Sequence, residues 1–366
     1  MSLLAGKTEK TRSTRHRQKF EGHMETVLGV IHLPGGQRIM TCSDDGSLRV
    51  WNLESGEQIG NDWRDGESGV FTMALSPGGN IIASGSRDGS MRFWDIDTGK
   101  VIIGWMAHTD TITSLCWSRD GGRVVTGSYD GTVRVWNLES REIILEIKTR
   151  LRDNQRPIAI YSADATMIAT TSAQSLEIWD AKTGQLIKNL RGQGHWEASC
   201  LAWSADGSTL IAGSYSWIMT WNTTTWQQIH VLTGHTSLVE DIAISPNGRI
   251  LASASQDYTA QLWNLDNGQP IGLPLQHAAI LYCVSFSADG KLLASGCGLI
   301  DCFNAYTWDI SAIVRDAGLD ELLLNPNVST SFLMSLRNSA LNTRYPRTVA
   351  NLYSMYVTHS SIECFY

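Results

Sequence analysis

Short apolar runs separated by polar, glycine-containing turns fill the chain from about residue 15 to residue 309. Each cycle reads alike. An apolar strand leads to a turn such as LPGG at Leu33, SPGG at Ser76, SADG at Ser204 or SPNG at Ser245. Pro, Asp, Asn and Gly at those positions supply turn geometry. A second strand follows, as in RIMTCS (38–43) or RVVTGS (123–128). These second strands are near-continuously apolar, as strands buried on both faces are. An Asp-Gly turn leads into a third strand that ends in Trp, and a further turn (LESGE, IDTGK, LDNGQ) leads to an outer strand. The pattern predicts four strands per cycle.

The cycle is anchored by Trp51, Trp94, Trp136, Trp179, Trp221, Trp263 and Trp308. The clearest copy of its last part is GSYDGTVRVWN, Gly127 to Asn137. CSDDGSLRVWN, GSRDGSMRFWD and ASQDYTAQLWN repeat it, and SAQSLEIWD, SYSWIMTWN and CFNAYTWD are weaker versions. Self-similarity at about 40–45 residues with a terminal Trp-Asp or Trp-Asn pair marks a propeller repeat. On these residues the chain resembles the WD40 repeat family. The resemblance implies an all-β, seven-bladed WD40 β-propeller over residues 15–309. His16–Phe20 occupy the offset that an outer strand fills in later repeats, yet no blade precedes them. The resemblance implies that this N-terminal strand completes the last blade and closes the ring, which removes an open sheet edge.

The two ends depart from the pattern. Residues 1–14 are polar and basic, and read as a flexible arm, with docking or nuclear import as the sharper reading. Residues 310–366 form a C-terminal tail, short helix then irregular. In DISAIVRDAGLDELLL, from Asp309, apolar residues at 313, 314, 319, 322 and 323 predict one or two short helices on the blade 7 edge. Asp309 or Ser311 can serve as N-cap.

Charge changes the picture of partners. The net charge is −7. Residues 1–19 hold Lys7, Lys10, Arg12, Arg15, Arg17 and Lys19 against Glu9, a balance of +5, and residues 310–366 balance to zero. Subtracting +5 from −7 leaves the repeat region at −12. An acidic body repels phosphates, so nucleic acid and anionic membrane surfaces are poor partners. The seven cysteines are scattered, odd in number and without a CxxC pair. This reads as a reduced, cytoplasmic or nuclear protein. Met1–Gly6 is too short an apolar run for a secretory signal, and there is no long apolar span.

The resemblance also maps a structural network onto three repeats. It assigns His23, Asp45, Ser47 and Trp51 to the first, His108, Asp130, Thr132 and Trp136 to the third, and His235, Asp257, Thr259 and Trp263 to the sixth. The expected relay runs from indole N–H to the Ser47, Thr132 or Thr259 hydroxyl, then to imidazole, then to carboxylate. Hydroxyl, imidazole and carboxylate also compose a hydrolase triad. Threefold repetition beside a buried Trp favours a staple. The second, fourth, fifth and seventh repeats lack one or more members.

The family's top face carries the residue that precedes the staple Asp: Asp44, Arg87, Tyr129 and Gln256. Tyr215, Trp217 and Trp196 from blade 5, and Arg150 and Arg152 from blade 4, extend that candidate partner-binding surface. There is no P-loop, nucleophile elbow, HExxH or zinc-like Cys/His spacing. The expectation is therefore a non-catalytic scaffold that binds other proteins or peptides, as a monomer or as a subunit of a larger complex. It carries no cofactor or metal and takes no small-molecule substrate. A recognition module of a signalling receptor is the alternative, and a propeller enzyme ranks below both.

Overall fold

The structure, a computed structural model, describes residues 16–149, 155–173, 175–191, 197–299 and 302–324. Seven antiparallel sheets follow one another as blades. Blade 1 comprises strands Val27–His32, Arg38–Ser43 and Leu48–Asn52. Blades 2 to 6 each have four strands in chain order, the first strands being Val70–Leu75, Ile112–Trp117, Ala159–Tyr161, Cys200–Trp203 and Val239–Ile244. Blade 7 takes three strands from the end of the array (Ile280–Phe286, Leu292–Gly298, Asn304–Asp309) and the fourth, Gln18–Glu21, from the beginning. That strand runs antiparallel to the last one, with Gln18 opposite Thr307 and Glu21 opposite Asn304. The ring is thus closed by pairing of the two ends, as the His16–Phe20 pattern predicted.

Alternation and burial explain the packing. The second strands are buried almost throughout, and Ile39, Ile82, Val124, Ile168, Leu210, Leu251 and Leu293 are each 0% exposed. Core clusters straddle neighbouring blades. Phe20, Val27, Ile39 and Trp51 pack with Cys283, Ala294 and Ala305 across the seam between blades 7 and 1. Each blade buries its faces against its neighbours, so a long chain needs no single large core.

Blade 1 has no regular outer strand, contrary to the four-strand pattern. Only isolated bridges, Leu48 to Trp63 and Trp51 to Gln58, replace the ladder. The segment turns at Gly60 with φ +71°. Arg49 instead reaches out to Gln58 (3.2 Å) and Asp62 (3.0 Å). Trp63 stacks on Trp94 of blade 2, with ring centroids 6.2 Å apart. Trp63 and Trp105 are thus packing residues, the latter stacked on Phe93 at 5.4 Å. Trp117 and Trp203, just before the first turn of blades 3 and 5, are half-buried and pack against the core clusters. Their indole N–H groups hold backbone carbonyls of Ala74 and Gly207 near the surface.

After the last blade, a helix spans Ile310–Asp316, with the Asp309 side chain accepting the Ala312 N–H at 2.9 Å. A 3-10 turn follows at Asp320–Leu323. Ile310, Ile313, Val314 and Leu322 pack with Ile271, Leu275 and Trp308, so the helix covers the junction of blades 6 and 7. The predicted arm (1–14) and the tail beyond Leu324 lie outside the described residues.

Candidate functional site

The three complete networks share one geometry. His23 Nδ1 lies 2.8 Å from Asp45, His108 Nδ1 2.9 Å from Asp130, and His235 Nδ1 2.8 Å from Asp257. The hydroxyl in the relay is not the predicted one. Trp51 Nε1 donates to Thr41 (2.8 Å), Trp136 to Thr126 (3.0 Å) and Trp263 to Ser253 (2.9 Å). The same three hydroxyls lie 2.7 Å from the imidazole Nε2 atoms. Sheet geometry is the reason. Trp51 is paired with Ile39, and Thr41, two residues on, projects from the same face as Ile39. Ser47, Thr132 and Thr259 sit two residues beyond the Asp and donate to that carboxylate at 2.5–2.6 Å. The carboxylate also takes backbone N–H groups, as Asp45 does from Met24 (3.0 Å) and Ser47 (2.9 Å).

The protonation states follow. Burial lowers the pKa of His23 and His108 despite the adjacent carboxylate. Burial alone would raise Asp45 and Asp257, but the hydrogen bonds they accept outweigh it and hold both well below the usual carboxylate range. At His23 and His108 a neutral imidazole therefore donates Nδ1–H to an ionised carboxylate and accepts at Nε2 from the hydroxyl. Thr41, Thr126 and Ser253 are 0% exposed, so each set ties buried polar groups to one another.

Partial versions of the staple occur elsewhere. Trp94 donates to Ser84 and Trp179 to Thr170, both at 2.9 Å. Trp308 donates to Ser295 (3.0 Å), which also meets His277 Nε2 at 2.8 Å. His277 Nδ1 donates to the Leu275 carbonyl at 2.9 Å. The second-strand hydroxyl was visible as the fourth residue of RIMTCS, IIASGS, RVVTGS, MIATTS and ILASAS.

The face that carries these turns is built by a repeated backbone bond. The N–H groups of Asp44, Arg87, Tyr129 and Gln256 donate to Thr26, Gly69, Thr111 and Leu238, at the start of each inner strand. The structure brings all four into one cluster with Arg156, of the basic blade 4 loop, and with Phe71 and Glu240, which sequence reasoning missed. Arg87 pairs with Asp44 and lies over the Phe71 ring at 5.4 Å. Tyr129 meets the edge of the same ring at 6.5 Å. Arg156, just before the inner strand of blade 4, covers Phe71 at 4.9 Å and pairs with Glu240 of blade 6 at 3.3 Å. Gln256 donates to Glu240 at 2.6 Å. Side chains of blades 1, 2, 3, 4 and 6 thus meet over the mouth of the ring.

Around the cluster stand aromatic side chains open to solvent. Tyr129 and Trp217 are each 39% exposed, Tyr215 66% and Tyr258 42%. Tyr258 occupies the place of the turn glycine and has φ +67°, where Gly46, Gly89 and Gly131 have φ near +80°. A non-glycine residue there costs about 1–2 kcal/mol. A cleft between blades 1 and 7, lined by Glu25, Tyr282, Leu299 and Phe303, opens beside them. Arg150, Arg152 and Trp196 lie outside the described residues. Among the described residues no three His, Cys, Asp or Glu side chains gather in a group able to hold a metal, and no helix is long and apolar enough to cross a membrane.

Similarity to known proteins points the same way. A stretch of 247 residues, 66% of this chain and 81% of the relative, is 26% identical to the serine-threonine kinase receptor-associated protein of Dictyostelium discoideum. Another 247-residue stretch is 23% identical to Protein HIR1 of Yarrowia lipolytica, and 95 residues are 33% identical to the meiotic recombination protein rec14 of Schizosaccharomyces pombe. The matched regions span only 19% of the HIR1 protein and 31% of rec14. The profile of the family described as WD domain, G-beta repeat, matches residues 14–52, 61–95, 99–137, 184–222, 226–264 and 268–303. The blade without a match is the fourth, where Ala173 stands in place of the turn aspartate. With six matched repeats over more than half its length and seven blades in its fold, the chain belongs to the WD40 repeat family.

Proposed function

We propose that this protein is a non-catalytic interaction scaffold that binds protein or peptide partners on the face carrying Asp44, Arg87, Tyr129, Tyr215, Trp217, Gln256 and Tyr258. The observation that carries the reading is the exposed aromatic set in the turns of blades 3, 5 and 6 around the Arg87–Phe71–Arg156 stack. Tyr, Trp and Arg are the side chains that dominate binding energy at protein interfaces. The buried staples supply rigidity, which lowers the entropic cost of association. The similarity to a serine-threonine kinase receptor-associated protein supports a role within assemblies.

Affinity purification with Tyr215→Ala/Trp217→Ala and Arg87→Ala/Tyr129→Ala variants tests the reading. Glu139→Ala, in the turn between third and outer strands of blade 3, serves as the opposite-face control. The expected outcome is loss of partners with the first two and retention with the control. Retention of every partner by both top-face variants rejects the surface.

A further inference from the structure

We propose that Cys297 and Cys302 are a thiol pair that forms a reversible disulfide across the second hairpin of blade 7. The two sulfurs are 3.9 Å apart, at van der Waals contact, and both cysteines are free. Cys42, Cys116, Cys200 and Cys283 lie singly in strands of blades 1, 3, 5 and 7. An S–S bond is about 2.05 Å long, so the sulfurs must approach by roughly 2 Å. Asn304 Nδ2 donates to Cys302 Sγ at 3.4 Å and holds that sulfur on the side of Cys297.

The location gives the pair a purpose. In the first, third and sixth blades a carboxylate six residues before the Trp ties the turn to the histidine. In blade 7 that position is Cys302, six residues before Trp308. His277 donates to a backbone carbonyl. A covalent link between Cys297 and Cys302 ties the same hairpin. It lies next to the seam, since Asn304 pairs with Glu21 of the N-terminal strand. It also fixes Leu299 and Phe303, two residues in the wall of the cleft between blades 1 and 7.

The chemistry divides by exposure. Cys302 is partly exposed, whereas Cys297 is buried and burial pushes its thiol up to about 12. Cys302 is therefore the attacking sulfur and Cys297 the resolving one. With a peroxide as oxidant, the Cys302 sulfur attacks the O–O bond, which breaks to leave a sulfenic acid and one water. The Cys297 sulfur then displaces the hydroxyl from Cys302 as a second water. Two thiols are oxidised, one peroxide is reduced, and a dithiol reductant reverses the bond.

The test treats the reduced full-length protein with hydrogen peroxide, followed by alkylation, non-reducing peptide mapping and thermal unfolding. The expected result is a Cys297–Cys302 linked peptide, loss of two hydrogens from the intact mass, and a rise in Tm that dithiothreitol reverses. Cys302→Ser loses both the link and the Tm rise. Both thiols remaining alkylatable, or oxidation of Cys302 to sulfinic acid with no link, overturns the proposal. These readouts on the unsubstituted protein stand whether or not Cys302→Ser folds, and none depends on partner binding.

Discussion

At the residue scale, the staple turns on hydroxyls at the centre of the sheet, not at its third strand. Thr126 accepts the Trp136 indole N–H and donates to His108. Thr126→Val keeps the shape but leaves both partners buried and unpaired, at a cost of about 1–3 kcal/mol for each group. Thr132→Val removes only one of several bonds to Asp130 and is expected to cost less. Denaturant unfolding compares the two, and a larger loss for Thr132→Val contradicts the assigned relay. Histidine burial sets the pH response. His277 is lowered to about 4 by burial, against an unfolded value near 6.5. Between these values the unfolded chain binds the proton and the folded one does not. The stability contributed by neutral His277 is full above pH 6.5 and is lost as pH falls toward 4, by up to about 1.4 kcal/mol per pH unit. His277→Gln is expected to shallow the fall in urea midpoint between pH 6.5 and 4. An unchanged slope excludes His277 as a contributor. The neighbouring His16 adds a smaller electrostatic lowering of His277.

At the scale of the element, the turn between second and third strands is defined by left-handed glycines whose surroundings differ. Gly89 and Gly131 both have φ +81°. A Cβ on Gly89 would stand 2.2 Å from the His108 carbonyl oxygen, whereas one on Gly131 meets nothing within 4 Å among the described residues. Gly131→Ala is expected to cost about 1–2 kcal/mol from conformation alone. Gly89→Ala adds a backbone collision and is expected to lower Tm distinctly more. Equal shifts in thermal unfolding contradict the close packing of blade 2 on the His108 loop.

At the scale of the whole molecule, everything rests on the seam. The N-terminal strand contributes Phe20, 1% exposed, against Trp51 at 5.9 Å. Phe20→Ala is expected to cost about 3–5 kcal/mol, the range for removing a large buried ring. A loss below 1 kcal/mol by chemical denaturation means that the strand does not hold the ring shut. The outer strands of blades 3, 4 and 5 expose Ile143, Ile144, Leu186, Ile187, Ile229 and Val231 at the rim. Their apolar character was present in the sequence, but their exposure depends on being the outermost strands of their sheets.

Much of this architecture is written in local pattern. The recurrence of Trp51, Trp94 and Trp136, the Asp-Gly turns and the orphan run at His16–Phe20 determine the repeat, the blade number and the closure, because strand period and turn chemistry are local properties. The same holds for the helix after Asp309. Tertiary structure alone decided which hydroxyl meets the indole, since Thr41 reaches Trp51 only through the pairing of two strands. It also decided that Phe71, Arg156 and Glu240 meet across the ring, and that Cys297 faces Cys302. Those contacts join residues by strand register and by the meeting of separate blades, which no strand period or turn motif expresses.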